Sequence, residues 1–174
     1  ARIDGDALPD LVLLCSDPEN YDDRMVVWAG SSLLSGLPAE VARPTPFRSE
    51  YNQQLSTLGD LDGDGLDELG TDRRNGGAWD STLATWDWGT VTPGAVVATG
   101  GDTAAAAWHL EGESHTQPAY VTPTPAGDVD GDGIPDVALL ASFESRIDDS
   151  SRTLVGHVVP GAQFASASPG GSIR

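Results

Sequence analysis

One stretch constrains the chain more than any other. Residues 127–140 read Gly127-Asp128-Val129-Asp130-Gly131-Asp132-Gly133-Ile134-Pro135-Asp136, then Val137-Ala138-Leu139-Leu140. A second copy runs over residues 59–69, and a worn third copy over residues 1–14 opens the chain. Each is an Asp-rich loop feeding a short apolar run. Carboxylates at alternate positions, with glycine where the chain turns sharply, wrap oxygen ligands around a hard cation. Counting from Asp128 as position 1, Asp130 and Asp132 take positions 3 and 5, and Gly133 takes position 6. Ile134 at position 7 offers its backbone carbonyl, and Asp136 takes position 9. The middle copy places Asp60, Asp62, Asp64, Gly65, Leu66 and Glu68 in the same roles.

The first nine positions resemble an EF-hand loop, and the likeness stops there. An EF-hand needs a bidentate Glu at position 12 and a helix after the loop. Position 12 is Thr71 in one copy and Leu139 in the other. Each loop leads instead into a short apolar run that reads as a buried strand. Asp-Gly is also a hairpin signal that needs no metal. Two full copies with matched acidic positions favour the ion, because clustered carboxylates repel one another without one. The opening copy has Arg2 at position 1 and Ala7 at position 6, which leaves Asp4, Asp6 and Asp10 as a weak or degenerate metal loop. There the Arg2 guanidinium is expected to replace the ion and pair with Asp4 or Asp6.

The balance of charge narrows the partners. The chain has 174 residues, 27 of them acidic and 9 basic, for a net charge of −18. Two calcium ions would leave it strongly acidic. Such a surface repels nucleic acid and anionic membrane. Cys15 is the sole cysteine, so no internal disulfide forms. It reads as a small buried hydrophobe. No signal peptide and no run long enough to span a membrane is present.

The signals between loops recur in one order, with the loops 58 and 68 residues apart. A strand leaves each loop (11–15, 68–71, 137–141) and enters an acidic hairpin turn (16–23, 72–80, 142–151). A second strand follows (24–29, 81–88, 153–159), then a turn with glycine at Gly30-Ser31-Ser32, between Gly89 and Gly94, and at Pro160-Gly161-Ala162. A weaker third strand is expected at 40–43 and 104–111, and a fourth at 53–58 and 119–124 returns to the next loop. No helix is expected; residues 104–107 have the propensity to begin one but lie where a strand belongs. Four short strands per unit at a fixed period is the pattern of an all-β chain of β-propeller blades. The expected parts are about 1–48, 49–115 and 116–174 of one domain.

The Gly-Asp-x-Asp-Gly-Asp-Gly-x-x-Asp loop before an apolar strand resembles the FG-GAP repeat of integrin alpha-subunit propellers and related calcium-loop repeats of secreted bacterial proteins. The resemblance spans the chain as three units, and its specific part is the loop. It implies a calcium-stabilised propeller with each loop joining the first and second strands of a blade. By this resemblance Asp60, Asp62, Asp64, the Leu66 carbonyl and Glu68 hold one ion. Asp128, Asp130, Asp132, the Ile134 carbonyl and Asp136 hold another. The family's Phe-Gly before the loop is absent, and Ala141-Ser142-Phe143 stands where Gly-Ala-Pro is expected. The chain is therefore a divergent member. Three blades cannot close a ring, so the expectation is a segment whose partners include further blades of the same chain; the alternative is that identical chains close it.

Two other constellations stand out. Trp86 and Trp88 alternate on a strand and, with Trp28, Trp79 and Trp108, could stack on sugars; packing between blades explains them as well. His109, Glu111, Glu113 and His115 alternate and could hold zinc; a solvated edge strand explains them equally. Arg73-Arg74-Asn75-Gly76-Gly77 is a basic hairpin tip in an acidic chain. No nucleophile elbow, phosphate-cradling loop or His-Glu-x-x-His occurs. The expectation is a secreted or cell-surface, non-catalytic calcium-stabilised module for binding or adhesion, with an unknown protein or carbohydrate ligand. The alternative is the propeller part of a secreted enzyme acting on polysaccharide or lipid.

Overall fold

The computed structural model describes residues 1–16, 23–36, 40–42, 54–72, 85–113, 118–144 and 152–173. They form mostly antiparallel sheets with few and short helices. The order is β1 (Leu11–Ser16), β2 (Asp23–Trp28), α1 (Gly30–Leu34) and β3 (Glu40–Ala42), here unit 1. Unit 2 has β4 (Leu55–Gly59), β5 (Glu68–Asp72), β6 (Thr85–Thr92), α2 (Gly94–Ala98), α3 (Thr103–Ala106) and β7 (Trp108–Glu113). Unit 3 has β8 (Pro118–Gly127), β9 (Asp136–Glu144), β10 (Arg152–Val159), α4 (Ala162–Ser166) and β11 (Ser172–Ile173).

Each unit lays its strands side by side in chain order. Unit 1 forms β1-β2-β3, unit 2 forms β4-β5-β6-β7, and unit 3 forms β8-β9-β10, while β11 crosses over to become the fifth strand of the unit 2 sheet, beside β7. The second and third acidic loops join paired neighbours, β4 with β5 and β8 with β9. Equivalent pairs recur in register: Leu11 opposite Trp28, Leu69 opposite Thr92, Val137 opposite Val159. Among the described residues no sheet closes on itself.

Two expectations change. Among the described residues four short helices form where none was expected. Three of them, α1, α2 and α4, start in the glycine turns after the second strands, although β6 runs on to Thr92 and takes most of the turn expected between Gly89 and Gly94. The fourth, α3, takes residues expected to begin a strand, so β7 starts only at Trp108. Local alanine propensity won at Ala104-Ala105-Ala106. The strand carrying His109 and Glu111 is also not an edge, since β11 pairs with its free side in parallel. Of the expected acidic hairpin turns, Ser16, Asp23, Asp72 and residues 142–144 belong to strands β1, β2, β5 and β9; the rest of those turns, and the basic stretch at 73–77, lie outside the described residues.

The apolar core lies between units. Ile3, Met25 and Val27 of unit 1 meet Leu69 and Val97 of unit 2. Leu58, Leu61, Val91, Trp108 and Leu110 of unit 2 meet Val137, Leu139, Phe164 and Ile173 of unit 3. Alternation explains this: successive strand residues face opposite ways, so Leu69 reaches back to unit 1 while its neighbour Gly70 faces unit 3. All five residues of β5 are buried as a result. Between units 2 and 3 the fit is close. A Cβ on Gly70 would lie 3.0 Å from the Pro123 Cβ, and one on Gly89 would lie 2.9 Å from its Cγ. Two glycines on adjacent strands thus leave a slot for Pro123, whose carbonyl accepts a hydrogen bond from the Ser56 hydroxyl.

Candidate metal centres

The loops are built from hydrogen bonds of carboxylates to their own backbone. At position 1, Asp60 accepts from the Gly63 and Gly65 N–H groups at 2.7 and 3.0 Å. Asp128 accepts from Gly131 and Gly133 at 2.7 and 2.9 Å. The curl uses left-handed backbone at positions 4 and 6, with φ of +82° and +90° at Gly63 and Gly65 and of +84° and +89° at Gly131 and Gly133, a region glycine enters without steric cost. At position 3, Asp62 and Asp130 each accept from position 5 at 3.1 Å. At position 5, Asp64 and Asp132 accept from the Leu66 and Ile134 N–H groups at 2.8 Å.

Position 9 does something the sequence did not reveal. One oxygen of Glu68 accepts from Leu61 N–H at 2.5 Å, and the other accepts from Gly94 N–H at 3.1 Å, at the start of α2. Asp136 bonds Val129 at 2.7 Å and Gly161 at 2.9 Å, just ahead of α4. Asp10 bonds Ile3 at 2.7 Å, Asp4 at 3.0 Å and Gly30 at 2.9 Å, at the start of α1. All three carboxylates are buried. Glycine is required at the helix end because a Cβ would strike the loop: 2.2 Å from the Pro9 carbonyl oxygen at Gly30, 2.1 Å from that of Pro135 at Gly161. The recurrence of a glycine after each second strand was the only sequence signal for this brace.

Carboxylate oxygens converge within 4.8 Å in three groups: Asp60, Asp62 and Glu68; Asp128, Asp130 and Asp136; and Asp4, Asp6 and Asp10. Each group could hold a metal ion. A carboxylate oxygen that accepts one N–H keeps a further lone pair for a cation, so bracing and ligation are compatible. Asp64 and Asp132 are not in these groups. Arg2 does not pair with Asp4 or Asp6. Its guanidinium reaches the next loop and meets Asp67 at 3.2 Å, while its backbone exchanges hydrogen bonds with the same residue at 2.8 Å each way. The reason lies in the sequence: where loops 1 and 3 have Pro9 and Pro135, loop 2 has Asp67. At the other junction Gly59 lies against Pro135, whose Cγ is 3.1 Å from where a Cβ would stand.

The electrostatics differ between loops. Burial pushes the Glu68 carboxyl up to about 7, against the two N–H bonds that favour its charge, with Asp62 and Asp64 adding to the rise. Burial, then the Asp64 and Asp60 charges, raises Asp62 as well. Asp136 moves the other way, held down by the Gly161 and Val129 N–H groups. Unit 3 covers loop 2, whereas loop 3 opens to solvent at Val129.

The other constellations fare less well. Trp108 is buried, edge-on to Phe164 with ring centroids 5.5 Å apart, and donates from Nε1 to the Ala167 carbonyl at 3.3 Å. It packs the core and is closed to a sugar. Trp28 is half-buried. Trp79 and the side chains of Trp86 and Trp88 lie outside the described residues, as do the Glu113 side chain and His115. Glu111 accepts from the Ser172 hydroxyl at 2.6 Å, and no metal-capable group of described residues includes it or His109.

Fold and loops together define a class: a mostly antiparallel, β-rich chain of stacked units with, among the described residues, three acidic clusters that could hold a metal ion. Compared with protein-family models, curated proteins and solved structures, the chain matches none.

Proposed function

We propose that this chain is a calcium-stabilised β-propeller segment of the FG-GAP type, serving extracellular binding or adhesion without catalysis of its own. One observation carries the reading. The module of acidic loop, strand, strand and glycine-started helix recurs three times, and in each the position 9 carboxylate makes the same bonds. The strand meander of unit 2, stacked face to face on unit 3, is what adjacent blades require. The donors are all oxygen, which suits a hard divalent cation. Loops 2 and 3 supply position 1 carboxylates and take one calcium each. Loop 1, with Arg2 there, takes none.

Calcium here is structural. Extracellular modules bind it at about 10⁻⁴–10⁻³ M. At about 2 mM this adds on the order of 0.7–1.8 kcal/mol per site, a useful share of marginal stability. The ion draws together acids that otherwise repel, and so fixes the turn between paired strands.

The test is a thermal melt against calcium, with magnesium as control and a calorimetric titration alongside. A calcium-specific rise in Tm with about two ions bound per chain is the expected result. A folded chain whose Tm ignores calcium would end the calcium reading.

A further inference from the structure

An Asp-Gly step can rearrange its own backbone. The glycine nitrogen attacks Cγ of the aspartate before it, and glycine presents no Cβ to obstruct the approach. The sequence has five such steps: Asp4-Gly5, Asp62-Gly63, Asp64-Gly65, Asp130-Gly131 and Asp132-Gly133. All lie in the acidic loops. Three of them begin at loop position 3 and form an internal comparison. Their glycines share one left-handed backbone, with φ of +78° at Gly5, +82° at Gly63 and +84° at Gly131, and all three are exposed. Their aspartates share one hydrogen bond, accepted from the N–H two residues on, at 2.9 Å for Asp4 and 3.1 Å for Asp62 and Asp130. Asp4 and Asp130 are also both exposed.

One contact separates them. The Gly63 and Gly131 N–H groups each donate to the position 1 carboxylate, Asp60 or Asp128, at 2.7 Å. Loop 1 has Arg2 there, with its guanidinium turned to Asp67, and among the described residues the Gly5 N–H has no acceptor. At the two remaining steps the Gly65 and Gly133 N–H groups are held by the same two carboxylates, at 3.0 and 2.9 Å. The matching step of loop 1 is Asp6-Ala7, where a methyl group obstructs the attack. A backbone nitrogen becomes a nucleophile only as it gives up its proton. A carboxylate that accepts the N–H opposes this twice over: it anchors the group, and its charge repels the negative charge developing on nitrogen.

We propose that Asp4-Gly5 is a site of spontaneous isoaspartate formation, and that the position 1 carboxylates shield the Asp-Gly steps of loops 2 and 3 from the same reaction. A bond forms between the Gly5 nitrogen and Asp4 Cγ, and a Cγ–O bond breaks. The oxygen leaves as water, carrying the carboxyl proton and the proton of the Gly5 N–H. The ring so made is a succinimide, and water opens it. Addition at Cγ restores Asp4. Addition at the Asp4 main-chain carbonyl carbon routes the chain through Cγ and leaves the carboxylate on Cα. Nothing is oxidised or reduced. The product lengthens the backbone by one carbon between buried Ile3 and Gly5, and takes from the Asp6 N–H its carboxylate acceptor. Position 1 thus protects the covalent chain, a task separate from holding an ion.

The proposal rests on hydrogen bonds within the loops and not on the metal reading, so its test is run in chelator. The whole folded chain is aged in mildly acidic heavy-oxygen water, then digested and fragmented to locate isoaspartate and the oxygen taken up. Ageing in denaturant gives the reference. Asn75-Gly76, which lies outside the described residues, reaches the same ring by losing ammonia and is read as a separate site. In the folded chain Asp4 is expected to convert about tenfold faster than the other four steps, the difference one charged hydrogen bond makes. In denaturant Asp4 should lose that lead. Arg2→Asp, at an exposed position, supplies the absent acceptor and should bring Asp4 down to the rate of the other loops. Asp128→Ala should raise Asp130 towards the rate of Asp4. Folded-state conversion at Asp4 no faster than at Asp62 and Asp130 would overturn the proposal. So would a lead that persists in denaturant, or one that Arg2→Asp leaves unchanged.

Discussion

Loops 1 and 3 share the position 9 carboxylate and its bond to a helix glycine, Asp10 to Gly30 and Asp136 to Gly161, both at 2.9 Å. They differ at position 1, where loop 3 has Asp128 and loop 1 has Arg2. Arg2 cannot accept the two N–H bonds that Asp128 accepts from Gly131 and Gly133. Even so, loop 1 keeps its bonds at positions 5 and 7, at 2.9 and 2.7 Å. The comparison separates two tasks that share one motif. Holding the short helix against the loop needs only the position 9 carboxylate. The proposed calcium sites draw on position 1 as well, where loop 1 offers Arg2. A loop without that carboxylate can still be retained for the first task, in keeping with the burial of Asp10.

The largest effect is expected where the brace is closed sterically. Gly161→Ala sets a Cβ 2.1 Å from the Pro135 oxygen, and Gly30→Ala sets one 2.2 Å from that of Pro9. Each must move backbone, so a loss of about 3 kcal/mol is expected for both, measured by denaturant unfolding in chelator. A mild Gly30→Ala beside a severe Gly161→Ala would show that loop 1 is not braced as loop 3 is.

Next come the carboxylates. Asp10→Ala and Asp136→Ala each leave buried N–H groups without an acceptor, at about 1–3 kcal/mol. In chelator the two should cost alike. Calcium then divides them: Asp136→Ala is expected to lose one of two bound ions by calorimetry, whereas Asp10→Ala keeps both. An Asp10→Ala chain that loses an ion would restore loop 1 as a metal site.

Acidity separates loop 2 from loop 3. The Glu68 carboxyl sits at about 7 when folded, against an ordinary value of 4.5. The folded chain thus holds that proton more tightly than the unfolded chain. Its contribution to stability is full below 4.5 and is lost as pH rises through 7. Asp136 has the opposite sign: its value is lowered, so its contribution is present above 3.8 and is lost as pH falls through the depressed value. With calcium in loop 2 as proposed, protons would compete with it for Glu68, and that ion is expected to weaken on acidification below pH 7 while one in loop 3 holds. Calorimetry above and below that pH, with Glu68→Gln as control, checks the order; simultaneous loss of both ions would contradict it.

Much of this was legible in the sequence. The loops, the strands leaving them and the all-β class follow from acidic spacing and short apolar runs, because both signals are local. The helices were not. Pro93-Gly94-Ala95-Val96-Val97 and Pro160-Gly161-Ala162-Gln163-Phe164 are too short to show a helical period, and glycine there reads as a turn. What makes them helices is a buried carboxylate some 25 residues earlier in chain order, together with Val97 and Phe164 entering the cores between units. The exchange at Arg2 was half legible. A guanidinium in place of a carboxylate was visible, but its partner lies 65 residues away and is marked only by Asp67 standing where the other loops have proline.

That exchange gives the smallest expected effect. The Arg2 side chain is about half exposed, and exposed pairs contribute about 0.2–1 kcal/mol. Asp67 is well covered and also accepts from the Arg2 backbone N–H at 2.8 Å. Arg2→Ala removes the guanidinium and leaves that backbone bond in place, so a loss of about 0.5 kcal/mol is expected, shrinking further in high salt. Asp67→Ala removes both and should cost more. If Arg2 served its own loop, the reverse order would hold: Arg2→Ala would release the Asp4, Asp6 and Asp10 charges upon one another, and Asp67→Ala would be silent. Unfolding of the two variants in chelator decides between a bridge across loops and a substitute for an ion within one.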